Sequence, residues 1–272
     1  MIWIKPQLAV VAVLLTVCGY VSVGGEYMRV CYYANWAQYR PSVMRFIPSN
    51  INPTLCTHIM YAFAKILPDT NSLGTTENND DGLGGNYKKV TDLKTTTRGL
   101  KVLLAVGSLN HNSSGFTDVV STDTRIDAFC DNVITFLRTR NFDGLDIDWE
   151  FPGQRGGNAS DKQRYTKLVA RLRQRFNAET GNQNTLILSA SVSGSRNTID
   201  SAYEVSSIST YFDFVNIMAY DYQGSWSTGL DHGSPLYPRS DQQPPDSYTN
   251  AVSILCNYIG LLLFMRARCS SL

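Results

Sequence analysis

Phe142-Asp143-Gly144-Leu145-Asp146-Ile147-Asp148-Trp149-Glu150-Phe151-Pro152 is the stretch that decides how this chain is read. Side chains of an extended strand alternate between its faces, so Leu145, Ile147, Trp149 and Phe151 share one face while Asp146, Asp148 and Glu150 share the other. The three acids then stand about 6 to 7 Å apart. In a parallel sheet covered on both faces, such a row puts carboxylates where apolar side chains are expected, an arrangement that is costly unless it is used. Repulsion within the row disfavours full ionisation, so one group holds a proton at neutral pH while another stays anionic. A proton donor and a stabilising anion are thereby placed side by side. Glu150 lies nearest the strand's C-terminal end, where active sites of α/β barrels assemble, and Pro152 stops the pairing just beyond it. Glu150 is therefore the candidate donor, and Asp143, at the wrong parity for the row, is given a structural role.

Two other readings of the row are weaker. An exposed edge strand does not suit Trp149 and the apolar runs on either side. A calcium loop needs a glycine for its sharp turn after Asp148, and the intervening residues are strand formers. His58, His111 and His232 are scattered without metal-ligand spacing or a serine partner and are read as structural. No metal or cofactor is implied.

Outward from this segment, strand-like apolar runs recur at residues 29–34, 58–64, 101–106, 185–192 and 212–220, making six with 142–150. Helical stripes lie between several of them. Ile126, Phe129, Cys130, Val133 and Leu137 form one, and Tyr165, Leu168, Val169, Leu172 and Phe176 form another, with Ser160 and Gln163 as a capping box and Gly181 as its end. Alternating strands and helices predict a parallel sheet with right-handed crossovers. Residues 68–86, rich in Asn, Asp and Gly, read as loop, residues 221–246 as a Gly-, Pro- and Ser-rich connection, and residues 248–259 as a sixth helix. At roughly 40 residues per unit, an eight-stranded barrel needs more chain than follows residue 220, so the sheet is expected to be open or the barrel incomplete. The tail 261–272 fits neither a strand-helix unit nor a membrane span.

The 272 residues carry 24 Lys and Arg against 23 Asp and Glu, a net charge of +1 that offers no field for nucleic acid. Lys5 followed by the apolar run 8–17 and the small residues Val23-Gly24-Gly25 reads as a signal peptide over residues 1–25, too short in its apolar core for stable membrane insertion, so the mature chain is expected to be secreted. Cys31, Cys56, Cys130, Cys256 and Cys269 then remain, with no C-x-x-C pair. Cys31 and Cys56, each at a predicted strand edge, are the natural disulfide, and closing that loop contributes roughly 3 kcal/mol. Asn112-Ser113-Ser114 and Asn158-Ala159-Ser160 are glycosylation sequons in keeping with secretion.

The segment from Asp143 to Glu150 resembles the D-x-x-D-x-D-x-E signature of glycoside hydrolase family 18, the chitinases and chitinase-like lectins, and follows the animal chitotriosidase-type subgroup. The resemblance extends to Cys31-Tyr32-Tyr33-Ala34-Asn35-Trp36-Ala37-Gln38-Tyr39-Arg40, Leu55-Cys56-Thr57-His58, Tyr61-Ala62-Phe63-Ala64, Phe214-Val215-Asn216-Ile217-Met218-Ala219-Tyr220-Asp221 and Gly224-Ser225-Trp226, in the subgroup's order. It covers residues 29–259. It implies a TIM (β/α)8 barrel, of which residues 26–260 supply about six of eight units, acting as a monomer on chitin or chitooligosaccharides. It further implies a retaining mechanism in which the substrate supplies the nucleophile. On this basis Glu150 protonates the glycosidic oxygen, Asp148 orients the acetamido N–H and balances the oxazolinium charge, and Asp146 shares a proton with Asp148. Tyr220 matches the acetamido-binding tyrosine, with Met218 and Asp221 beside it. Tyr32, Trp36 and Phe63 match aromatics of the sugar subsites, where rings suit the apolar faces of a pyranose; Phe63 equally suits plain core filling.

Two departures qualify what the resemblance implies. Gly107-Ser108-Leu109-Asn110 stands where the family usually has Gly-Gly-Trp-Asn, removing a ring that stacks on sugar. Nothing resembles the seventh and eighth strands, the small α+β insertion or the late tryptophan under the catalytic subsite. Open strand edges and a missing floor predict a poorly stable, weakly active polypeptide. A working endochitinase, a chitin-binding lectin and an inactive truncated form all stay open at this point, with retained Glu150 arguing against the lectin.

Overall fold

A computed structural model describes residues 27–111, 113–181, 184–227, 229–243, 248–256 and 258. The expected signal segment, the tail 261–272, Cys269 and the sequon residue Asn112 lie outside the described residues. Six parallel strands, β1 (Val30–Ala34), β2 (His58–Leu67), β4 (Lys101–Gly107), β5 (Gly144–Asp148), β6 (Ile187–Ser193) and β7 (Phe214–Met218), stand in chain order in one sheet, and a short β3 (Ser72–Thr75) pairs antiparallel with β2. Helices α1 (Asn86–Thr91), α2 (Ser114–Val119), α3 (Asp123–Thr139), α4 (Asp161–Ala178), α5 (Arg196–Ala202) and α6 (Val205–Ile208) accompany them.

The alternation within β5 builds two layers. Leu145, Ile147 and Trp149 join Phe129, Val133 and Leu137 of α3 and Tyr165, Leu168, Leu172 and Phe176 of α4 in one core of fully buried side chains. Burial of each large apolar group contributes about 1.5 to 3 kcal/mol, enough to fix which face of β5 is covered and so to commit the acids to the other. That other face is an interior, because the sheet curls. The hydroxyl of Tyr32 on β1 donates to Asp146 on β5 at 2.8 Å and accepts from Asn216 Nδ2 on β7 at 3.0 Å. The His58 ring of β2 packs edge-on against Phe214 of β7 at 5.3 Å. The first and last strands thus meet through side chains across the interior without backbone pairing, and the described residues hold six of the eight strands of a closed α/β barrel.

Several expectations are corrected in detail. The strand at 142–150 is shorter at both ends: it starts at Gly144, just after Asp143, whose carboxylate accepts the Val102 N–H at 2.8 Å and pairs with Lys94 at 3.0 Å while its backbone N–H donates to the Val102 carbonyl at 2.7 Å, and Trp149 and Glu150 lie past its last paired residue. The stretch 68–86 is not all loop, since it holds β3 and the buried Asp80. Ser160 makes no capping bond. The helix start is held instead by the buried Asp161 carboxylate, which accepts the Asn158 N–H at 2.9 Å and the Thr117 hydroxyl at 2.6 Å. Residues 251–256 are helical, within the expected sixth helix. Cys31 and Cys56 form a disulfide across the N-terminal edge of the sheet, while Cys130 is a buried thiol and Cys256 an exposed one.

Candidate active site

The C-terminal ends of β4 and β5 approach so closely that only glycine fits at position 107. Its φ is +113°, and a Cβ there would lie 2.1 Å from the Asp148 carbonyl oxygen. That carbonyl accepts the Ser108 N–H at 2.9 Å, which turns residues 108–111 over the end of β5. On the covered face, Trp149 stacks on Phe116 at 4.9 Å, meets Tyr165 edge-on at 5.8 Å and donates Nε1–H to Ser113 Oγ at 2.9 Å. Three contacts on one indole fix the backbone on both sides of it. Asp148 and Glu150 are therefore carried on a rigid support although only Asp148 lies within the strand.

The three acids sit in three different environments. Asp146 is fully buried and saturated with donors, accepting from Ser189 Oγ at 2.7 Å, Tyr32 at 2.8 Å, Ser191 Oγ at 3.2 Å and Asn216 Nδ2 at 3.3 Å. Its burial pushes the carboxyl above the ordinary Asp range, and those four donors pull it back. Asp148 is also buried, but its Oδ1 has no hydrogen-bond partner among the described residues. Burial and then the charges of Glu150 and Asp146 raise it well above the ordinary range. Glu150 is only half buried; burial raises it, while the Arg155 charge and the Leu109 N–H act in the opposite direction. Among the described residues no hydrogen bond joins Asp146 to Asp148, and serine, tyrosine and asparagine donors occupy Asp146.

Asp148 and Glu150 open into a cleft of about 460 Å³ whose wall includes Asn35, Trp36, Phe63, Thr76, Glu77, residues 108–111 and Tyr220. Trp36 and Phe63 lie nearly parallel, 13° apart with centroids 5.8 Å apart, and Trp36 keeps 46% of its surface exposed. Phe63 is thus a cleft residue backing an exposed ring, not core filling alone. A second cavity of about 190 Å³ shares Glu150 and Tyr220 with the first and adds Met218, Asp221 and Tyr222. Burial, then Asp148, Glu150 and Asp221, raises the Tyr220 hydroxyl. A further cavity of about 330 Å³ at the opposite end of the strands is lined by Arg138 and Asp143, which are already ion-paired with Glu179 and Lys94.

The structure therefore brings Asp148, Glu150, Trp36, Phe63, Tyr220, Met218 and Asp221 to one groove, with Asp146 directly beneath. Tyr32 lies outside the lining of both cavities and meets the site through its hydroxyl on Asp146. Asn158 is exposed. Sequence reasoning missed Ser189, Ser191 and Asn216, although Leu188-Ser189-Ala190-Ser191-Val192-Ser193 alternates with period two and so places a serine row on the face of the acids. It also missed Arg155, and it read as structural the His111 that lines the cleft with Nδ1 2.5 Å from the Gly107 carbonyl.

A curled parallel barrel whose fourth parallel strand delivers graded carboxyls into an aromatic-walled groove belongs to the glycosidase class of α/β barrels. Within that class the chain belongs to glycosyl hydrolases family 18, whose family pattern matches residues 28–259. It is 43% identical over 215 residues to chitotriosidase-1 of Mus musculus, covering 78% of this chain and 45% of that protein. Among solved structures it superposes with a TM-score of 0.80 and 33% identity on an immunomodulatory active chitinase from Trichuris suis, covering 87% of this chain and 62% of that one. Human YKL-39, a pseudo-chitinase with retained chitooligosaccharide binding, superposes with a TM-score of 0.79 and 33% identity over 87% of this chain and 63% of its own. The chain thus spans less than half of the mouse relative and under two thirds of the two solved structures.

Proposed function

We propose that this protein hydrolyses β-1,4-linked N-acetylglucosamine polymers by a retaining, substrate-assisted mechanism, as a secreted monomer. The observation that carries the reading is the contrast within the acid row. Among the described residues Asp148 keeps a buried oxygen without a partner, and an unpaired buried acceptor calls for a donor that arrives with the ligand. The N–H of an acetamido group is such a donor. Held by Asp148, and with its carbonyl side toward Tyr220, that group has its oxygen free to attack the anomeric carbon as Glu150 protonates the departing glycosidic oxygen. The bond to the leaving sugar breaks, an oxazolinium ion forms, and the Asp148 anion balances its charge. Glu150, now a carboxylate, takes a proton from water, which opens the ring with net retention. Asp146, locked by four donors, fixes the floor beneath Asp148.

Secretion is supported by the signal-like residues 1–25 and by the Cys31–Cys56 disulfide, which requires an oxidising compartment. No helix among the described residues is long and apolar enough to cross a membrane. Sugar binding without hydrolysis is the second reading, favoured by the similarity to a pseudo-chitinase; the retained Glu150 favours hydrolysis. Glu150→Gln keeps the size and the Leu109 contact but removes the proton. Chromatography of chitohexaose digests is expected to show turnover lower by at least about 10² to 10⁴ with binding largely kept. Equal turnover of variant and parent, or no hydrolysis by an oligosaccharide-binding parent, overturns the assignment.

A further inference from the structure

Asp80 is a fully buried carboxyl in the stretch that sequence patterning reads as loop, and the chemistry above makes no use of it. A buried carboxylate is unfavourable unless hydrogen-bonded. Asp80 is held by neutral donors alone, from three separate segments. The Tyr61 hydroxyl of β2 donates to Oδ1. Asn35 Nδ2, in the 3-10 turn Asn35–Tyr39 after β1, lies 3.0 and 3.3 Å from the two oxygens, and the Glu77 N–H, in the segment after β3, donates at 3.0 Å. Burial pushes the Asp80 carboxyl up, and these three donors pull it down.

Each tethered segment carries part of the cleft wall. Asn35 precedes Trp36 and also donates to Thr76 Oγ1 at 2.7 Å, and Thr76 in turn donates to the Phe63 carbonyl at 2.7 Å. Gln38 and Asn79 exchange hydrogen bonds at 3.3 and 2.7 Å, and the Tyr39 hydroxyl donates to Glu77 at 2.6 Å. Asp80 itself does not line the cleft. It is the point where the backbones under Trp36, Phe63 and Glu77 are joined.

We propose that Asp80 is a positioning residue that holds the Trp36–Phe63 end of the cleft in register with the acid row, so that preference for long over short chitooligosaccharides depends on it. The inference rests on the sugar-binding reading given above. The two acceptor oxygens serve all three donors together; an amide would still do so, because the Tyr61 hydroxyl can turn and accept from its NH2, whereas a methyl group leaves every one of the three segments without that partner. Trp36 is then misplaced by a small amount, which matters for a stacked contact at the far end of a long ligand and little for a disaccharide at the acids.

The test uses the whole chain and compares calorimetric affinity for chitohexaose and chitobiose in the parent, Asp80→Ala and Thr76→Val. In the parent the hexamer is expected to bind more tightly; in Asp80→Ala that preference falls about tenfold, the weight of one stacking contact. Thr76→Val, which leaves the Tyr61–Asp80 pair intact, is expected to move it in the same direction. An unchanged hexamer-to-dimer ratio in a folded Asp80→Ala overturns the inference while leaving the sugar-binding reading standing. If that variant does not fold, an unchanged ratio in Thr76→Val overturns it. A parent that binds neither sugar overturns both readings together.

Discussion

Replacing Asp148 by asparagine is expected to make the protein more stable and less active at once. The carboxyl is buried, one oxygen is unpartnered, and Asp146 shares its face of β5 two residues away. Two unit charges at that spacing, about 6.5 Å, repel by about 2.5 kcal/mol at an effective dielectric of about 20. The donors on Asp146 reduce this, so about 1 to 2.5 kcal/mol of destabilisation attaches to an ionised Asp148. Its proton affinity is raised in the folded state, so the folded state binds more protons than the unfolded one wherever unfolded Asp is ionised. Stability is therefore fully present below the ordinary Asp value of about 3.9 and is lost as pH rises from there through the raised folded value. Asparagine has no such slope. Thermal melts followed by circular dichroism should coincide for parent and Asp148→Asn near pH 3. They should separate as pH rises, the variant melting about 2 to 10 °C higher at pH 7. Hydrolysis of chitohexaose should fall about a hundredfold or more with the anion gone. An equal or lower melting temperature at pH 7, or a gap that does not close toward acid, refutes the reasoning.

Arg155→Gln removes the charge that opposes the raised proton affinity of Glu150. A general acid works only while protonated, so the alkaline limb of the activity profile should move to higher pH, and a limb that stays or moves down refutes this role. Replacing Cys31 and Cys56 together by serine opens a loop of sequence separation 25 and should lower unfolding free energy by about 3 to 4 kcal/mol in urea titrations. A loss below about 1 kcal/mol would show that β1 is anchored by its ladder alone.

The central strands were legible because helices bury a face of each, and the starts expected at 58 and 101 are those observed, whereas two others fall late for a shared reason. The apolar runs beginning at 142 and 212 each start two residues before the ladder does. Asp143 accepts the Val102 N–H at 2.8 Å with its carboxylate and donates its own N–H to the Val102 carbonyl at 2.7 Å, and Asp213 does the same with Leu188 at 2.8 and 2.9 Å, so at each strand start an aspartate side chain takes the place of a backbone acceptor and clasps the neighbouring strand. Hydrophobic period carries no sign of such a clasp. β3 was hidden because Ser72-Leu73-Gly74-Thr75 has one large apolar residue and no alternation to count. At the site, parity alone separates Asp146, Asp148 and Glu150 from Leu145, Ile147 and Trp149. Which acid is satisfied and which is not depends on cross-strand register, which no single strand contains.

That register explains why a row of three acids is tolerated in an interior. Asp146 stands opposite Ser189, and Ser191 stands opposite Asn216, so the short donors of β6 and β7 converge on one carboxyl. Short side chains are needed there: a larger residue at 189 or 191 would fill the space that the Tyr32 ring crosses to reach Asp146 and Ser191. One residue pair higher, Asp148 faces Gly107 on the β4 side, and glycine has no side chain to offer it a bond. The same missing Cβ that lets β4 and β5 close together thus leaves Asp148 unsatisfied. Higher still, Glu150 has left the ladder and meets a loop N–H and an exposed arginine. The order from saturated to unsatisfied to half-solvated follows from where the neighbouring strands end, and it puts the unfilled acceptor and the proton donor next to each other at the mouth of the cleft.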